Sequence, residues 1–191
     1  GQRFYFRDQL VQLSSSTAAR TYRSSDYLAA LSGRISRSWT ADTGMQYNPR
    51  DSRTERVSVG ARYQPGQYQV LSASYRFMRD QFNQLDLAGQ WPLTQGWYGV
   101  GKMNYSIQDG RALESIAGVE YKADCWIFRG VLQRFSTSAA VVNSAIFIQL
   151  ELSGLANIGT NPLESLRRNI PGYGRLNQVA PPINPAYDFF D

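Results

Sequence analysis

Alternation of apolar and polar residues with period two predicts an all-β chain. It recurs along ten segments of about ten residues each, which suits an antiparallel transmembrane β-barrel. Two further observations support that class. The segments are uniformly longer than the ~5–6 residues usual for a globular sheet and match the ~9–11 of a tilted membrane crossing. Aromatic residues also gather beside the shortest connections.

The alternation is plainest mid-chain. Over 56–64, Val57, Val59, Ala61 and Tyr63 oppose Ser58, Gly60, Arg62 and Gln64. Over 68–78, Leu71, Ala73, Tyr75 and Phe77 oppose Ser72, Ser74 and Arg76. Over 84–93, Leu85, Leu87, Gly89, Trp91 and Leu93 oppose Asp86, Ala88 and Gln90. Over 97–108, Trp97, Met103, Tyr105 and Ile107 oppose Lys102, Asn104 and Ser106. The same reading places strands at 2–7, 27–37, 39–48, 112–123, 125–136 and 144–156.

Connections alternate as well. Short ones are expected at 38, 65–67, 94–96 and 124, and longer or more charged ones at 8–26, 49–55, 79–83, 109–111 and 137–143. Outer-membrane barrels have short periplasmic turns and longer outer loops, so the short set is assigned to the periplasm. Trp39, Tyr63, Tyr68, Trp91, Trp97, Tyr121 and Trp126 flank these turns, and Tyr27, Tyr47, Tyr75, Tyr105 and Phe135 fall near the other end. Amphipathic rings collect where one side is apolar and the other wet, so the two sets read as interfacial girdles.

The polar face is charged. Arg34, Asp42, Arg62, Arg76, Asp86, Lys102, Glu114, Glu120, Lys122, Arg129 and Glu151 are expected to point into a lumen. A soluble sandwich also alternates, but it needs neither girdles nor such uniform strand length.

Bulk composition narrows the function. Mean hydropathy is −0.40 and the apolar stretches, such as 139–142 and 145–148, are far below the ~20 residues of a membrane helix. A β-strand crossing leaves no such signal. With no histidine there is no histidine triad, general base or histidine metal site, and one cysteine forms no internal disulfide. No catalytic residues, metal ligands or cofactors are expected. The net charge of +5 is scattered, without the basic clusters and stacking aromatics of nucleic-acid binding.

The last part changes character. A division is expected between strands over 1–159 and an irregular periplasmic tail over 160–191. Asn161-Pro162-Leu163-Glu164 has a capping residue, a proline suited to a first helical position and an acidic first turn. A short helical stretch to about residue 168 is therefore expected, stopped by Pro171-Gly172. At the other end, Gly1 leads directly into strand-like Gln2-Arg3-Phe4-Tyr5-Phe6, with no leader before it. Ten strands with open edges would leave backbone groups unpaired in lipid. Both features suggest part of a larger barrel.

Three motifs carry a family resemblance: Glu120 to Arg129 around Ala123-Asp124-Cys125-Trp126; Ile148-Gln149-Leu150-Glu151-Leu152; and Leu166-Arg167-Arg168-Asn169-Ile170-Pro171-Gly172-Tyr173. The chain resembles the C-terminal barrel portion of the lipopolysaccharide-assembly protein LptD, the organic solvent tolerance family. The resemblance implies a non-enzymatic outer-membrane translocon that places lipopolysaccharide in the outer leaflet through a lateral seam. It implies lipopolysaccharide and outer-membrane lipid as ligands, an LptE-like plug lipoprotein as partner, and an LptA-like periplasmic bridge reached through an absent N-terminal domain. It also implies a seam strand containing Ile148, Gln149, Leu150, Glu151 and Leu152, and an interdomain disulfide from Cys125. Where the family carries a Cys pair or a single Cys, this chain has only Cys125. A self-closing channel or transporter of another family is the alternative, and a barrel enzyme a more distant one. The sequence preceding Gly1 would separate the first two.

Overall fold

The computed structural model describes residues 1, 26–136, 142–152 and 156–176. Strands β1 (Tyr27–Arg34), β2 (Trp39–Asn48), β3 (Arg53–Gly66), β4 (Gln69–Met78) and β5 (Phe82–Thr94) are followed by β6 (Trp97–Ser106), β7 (Arg111–Lys122), β8 (Trp126–Ser136), β9 (Val142–Leu152) and β10 (Ala156–Gly159). Each pairs antiparallel with its neighbours in chain order, giving one meandering sheet with β1 and β10 at its edges. Helix α1 (Leu163–Asn169) comes last. The strand expected at 2–7 lies outside the described residues.

Register sorts side chains into two faces, because directly opposed residues share one. Arg34, Thr40, Arg62, Ser72, Ala88, Lys102, Ile116, Gln133 and Ala145 form one row across β1–β9. On the opposite face Leu71, Gly89, Gly101, Ala117, Leu132 and Ile146 form another. The first face is covered over β4–β9; the second stays open, with Leu71, Leu87, Met103, Leu132 and Ile146 exposed.

What covers the first face is the C-terminal segment. Val70, Val100, Ile116 and Val131 of the sheet pack against Leu166 and Ile170, with Phe147 and Tyr173 alongside. Leu166, Ile170 and Leu176 are wholly buried. At seven residues, α1 is too short to persist alone, so packing holds it. The Asn161 side chain accepts from the Leu163 N–H at 3.2 Å, and Pro162 sits at the cap. Glu164 in the first turn and Arg167 and Arg168 in the last favour the helix dipole. The chain turns away at Ile170, which takes an extended conformation.

Three expectations change. Of the stretch expected to be an irregular tail with a short helix, residues 163–176 pack on the charged face of the sheet, because Leu166 and Ile170 have an apolar seat there. The segment 144–156 is not one strand: β9 ends at Leu152, and β10 returns antiparallel, Ala156 facing Leu152 and Gly159 facing Gln149. The contrast in connection length also shrinks. The charged connections close at 49–52, 79–81 and 107–110, against 35–38, 67–68, 95–96 and 123–125 at the other end. Arg53–Glu55 extends the β3 ladder rather than a loop, with Arg53 paired to Glu55 at 2.7 Å.

Candidate functional site

Near the short-turn end of β7–β9 the covered face carries a buried polar cluster. Arg129 and Glu120 stand opposite each other on β7 and β8, and both are fully buried. Arg129 Nε donates to Glu120 Oε1 at 3.0 Å, and its Nη1 donates to Glu151 Oε2 at 2.6 Å and Gln149 Oε1 at 3.1 Å. Gln90 Nε2 donates to Glu120 Oε2 at 3.0 Å. A charge without water needs a partner and hydrogen bonds. These residues supply both to Nε and Nη1 of Arg129, while its buried Nη2 has no partner among the described residues.

The C-terminal segment completes the cluster. Tyr173 Oη donates to Glu120 at 2.6 Å, and Arg175 lies 3.5 Å from Glu151. Burial, then the charge of Glu120, pushes the Tyr173 phenol well above its ordinary range, so it remains a donor. Two carboxylates, Glu120 and Glu151, thus meet two guanidiniums, Arg129 and Arg175. Gln90 and Gly174 exchange two hydrogen bonds, Gln90 Nε2 to the Gly174 carbonyl at 3.0 Å and Gly174 N–H to Gln90 Oε1 at 2.9 Å. The amide thereby imitates a neighbouring strand. A Cβ at Gly174 would sit 2.8 Å from the Tyr68 ring, so this approach requires glycine.

The other charges lie further along the same face. Lys102 bridges Glu114 at 2.7 Å and Asn169 Oδ1 at 2.6 Å. Gln133 Nε2 donates to Glu114, and Ser165 Oγ to Gln133 at 3.4 Å. Arg76 pairs with Asp86 at 2.5 Å. Asp42, Arg62, Arg76, Asp86, Lys102, Arg168 and Asn169 line a polar cleft of about 590 Å³ between sheet and helix. Arg34 shares the face by register but is exposed on β1, away from the cluster. The structure thus joins Glu120, Arg129, Gln149 and Glu151 into one network and leaves Arg34 outside it.

On the open face, rings contact in series: Trp39 with Tyr63 at 4.8 Å, Tyr63 with Trp91 at 6.3 Å, Trp97 with Tyr121 at 4.8 Å and Tyr121 with Trp126 at 5.2 Å. Two girdle assignments are corrected. Tyr68, at φ 59° in the turn before β4, packs edge-on against Tyr98 and reaches the Leu176 carbonyl, so it belongs to the covered face. Phe135 opposes Glu114 and shares that face too. Between the belt and mid-strand, Ala61, Leu71, Ala73, Leu87, Gly101 and Met103 line an apolar groove of about 670 Å³.

Cys125 is a free, exposed thiol in the turn between β7 and β8. In the strand expected to form a seam, Gln149 and Glu151 face the cluster, while Ile148, Leu150 and Leu152 face outward. β10 covers the edge of β9 from Gln149 to Leu152, so those residues are not the outermost strand. Sequence reasoning missed Gln90, Gln149, Tyr173 and Gly174 as cluster members. The signals available were glutamines at inward positions of long strands and the motif 166–173, neither of which names a partner.

The sheet thus has one apolar, aromatic-belted face and one charged face covered by the C-terminal segment. The model of the family LPS transport system D matches residues 1–97. The chain belongs to that family. It is 45% identical over 178 residues to the LPS-assembly protein LptD of Aromatoleum aromaticum, covering 93% of this chain and 22% of that protein. It is 45% identical over 188 residues to the LptD of an Azoarcus species, covering 94% and 23%. With the LptD of Thiobacillus denitrificans it shares 40% over 181 residues, covering 95% and 25%. The chain therefore spans about a quarter of the length of the curated relatives it matches. LptD-family proteins are outer-membrane β-barrels of transport and assembly, not a known enzyme family.

Proposed function

We propose that this chain forms strands of an outer-membrane translocon that inserts lipopolysaccharide into the outer leaflet through a lateral seam. The observation that supports it best is the pairing of faces: exposed Leu71, Leu87 and Met103 on one, Lys102, Glu120 and Arg129 on the other. The covered face lines the lumen and the open face meets lipid. On this reading the short-turn end is periplasmic, strands run to residue 159, and the segment beyond folds from the end of β10 over the lumen face. An LptE-like lipoprotein would plug the complete barrel, and an LptA-like bridge would deliver lipid to its periplasmic domain.

The seam is placed at the β9–β10 edge. There the short β10 pairs with β9 over Gln149–Leu152, and Thr160 bonds to Ile148. A crosslink from Ile146, 71% exposed, to the facing strand of the complete barrel should stop lipopolysaccharide export while the barrel stays folded. Normal export through a quantitatively locked seam would refute it.

Cys125 is assigned to a disulfide with a periplasmic domain of the complete protein, since an exposed thiol in an oxidising envelope tends to pair. The complete protein should run differently with and without reductant, and Cys125→Ser should remove the difference. A freely alkylatable Cys125 after export would end this assignment.

A further inference from the structure

We propose that residues 163–176 are a crossbar that binds β4–β9 into one stiff panel and leaves β1 and β2 to flex apart from it. The inference does not rest on what the barrel transports. One stretch of chain makes a rung to each strand or its entry: Leu176 to Tyr68 in the turn before β4, Gly174 to Gln90 on β5, Asn169 to Lys102 on β6, Tyr173 to Glu120 on β7, Ser165 to Gln133 on β8 and Arg175 to Glu151 on β9.

Neighbouring strands in a meander are joined only pairwise, through their ladders. A segment anchored on every strand of the run adds ties between strands that never touch. Parting any two of them then means lifting the segment from both. Leu166, Ile170 and Leu176 are wholly buried, so lifting exposes apolar surface. It also breaks the charge balance: without Arg175, the Glu120, Arg129 and Glu151 group keeps an excess negative charge on a buried site. Both costs favour a segment that stays seated, unlike a plug that comes and goes.

The crossbar stops short of the first strands. Gly172 comes near Arg62 and Gln64 of β3, and Arg168 lies across the polar cleft from β2. On β1 every residue is exposed. The result is a braced panel continued at one side by strands without that brace, β1 being hydrogen-bonded in turn to Gly1 through Leu28.

The test is hydrogen–deuterium exchange on the complete protein in micelles, with conductance measured in planar bilayers. Ile170→Asp removes a buried anchor. Gly174→Val lifts the segment by collision with Tyr68 and alters no sheet residue. Either variant should speed exchange in β4–β9 by at least about tenfold and leave β1 and β2 near wild-type rates. If Ile170→Asp fails to fold, Gly174→Val carries the same comparison. Unchanged exchange in β4–β9 with raised conductance would make the segment a plug and overturn the proposal. Equal acceleration in β1, β2 and β4–β9 would overturn it as well.

Discussion

Strands β1 and β8 are written in the same alternating code, yet they live in different surroundings. Every residue of β1 is exposed, including Leu28 and Leu31. On β8, Ile127, Arg129 and Val131 are buried at every second position. The difference comes from the 163–176 segment, which lies over β4–β9 and leaves β1 bare. Alternation therefore reports which way a side chain points and says nothing about what awaits it there. Arg34 and Arg129 share a face, but only one of them is enclosed.

The contrast can be broken in a graded series, read by urea unfolding of the complete protein in micelles. Arg129→Ala should cost most, about 3–5 kcal/mol, because it strands Glu120 and Glu151 without their common partner. Tyr173→Phe should cost about 1–3 kcal/mol, since buried Glu120 loses one of its donors. Arg34→Ala should stay within about 0.5 kcal/mol, as an exposed site away from any buried network. A loss at Arg34 comparable to that at Arg129 would show that both regions are enclosed alike.

Much of the sheet was legible in the sequence. Period two sorted Leu71, Ala73 and Tyr75 from Ser72, Ser74 and Arg76, and the register keeps them on opposite faces. The expected strand at 39–48 coincides with β2. The capping pattern at 161–164 located α1 within a residue or two. These are local signals, set by backbone geometry and nearest neighbours. The seat of the C-terminal segment was not legible, because its contacts join residues far apart: Gln90 and Gly174 are 84 positions apart, Tyr68 and Leu176 are 108. An inward glutamine reads the same whether it meets water or a glycine carbonyl. Tyr68 misled for a related reason: proximity to a short turn suggests the lipid interface, whereas its positive φ turns the ring to the other side. The return of β10 was hidden because polar Ser153 after Leu152 continues the alternation of β9 in the sequence.

The central claim is that the two faces of this sheet meet different solvents. A nitroxide placed singly at each position from 71 to 77 on β4 tests it most directly, in the complete protein reconstituted into bilayers. Collision with oxygen, which concentrates in lipid, should peak at 71, 73, 75 and 77, and collision with a water-soluble nickel reagent at 72, 74 and 76. Leu71 is 49% exposed on the open face, and Ser72 borders the polar cleft, so adjacent labels should differ most there. A profile without alternation, or one in the opposite phase, would contradict the assignment of the open face to lipid and the covered face to the lumen.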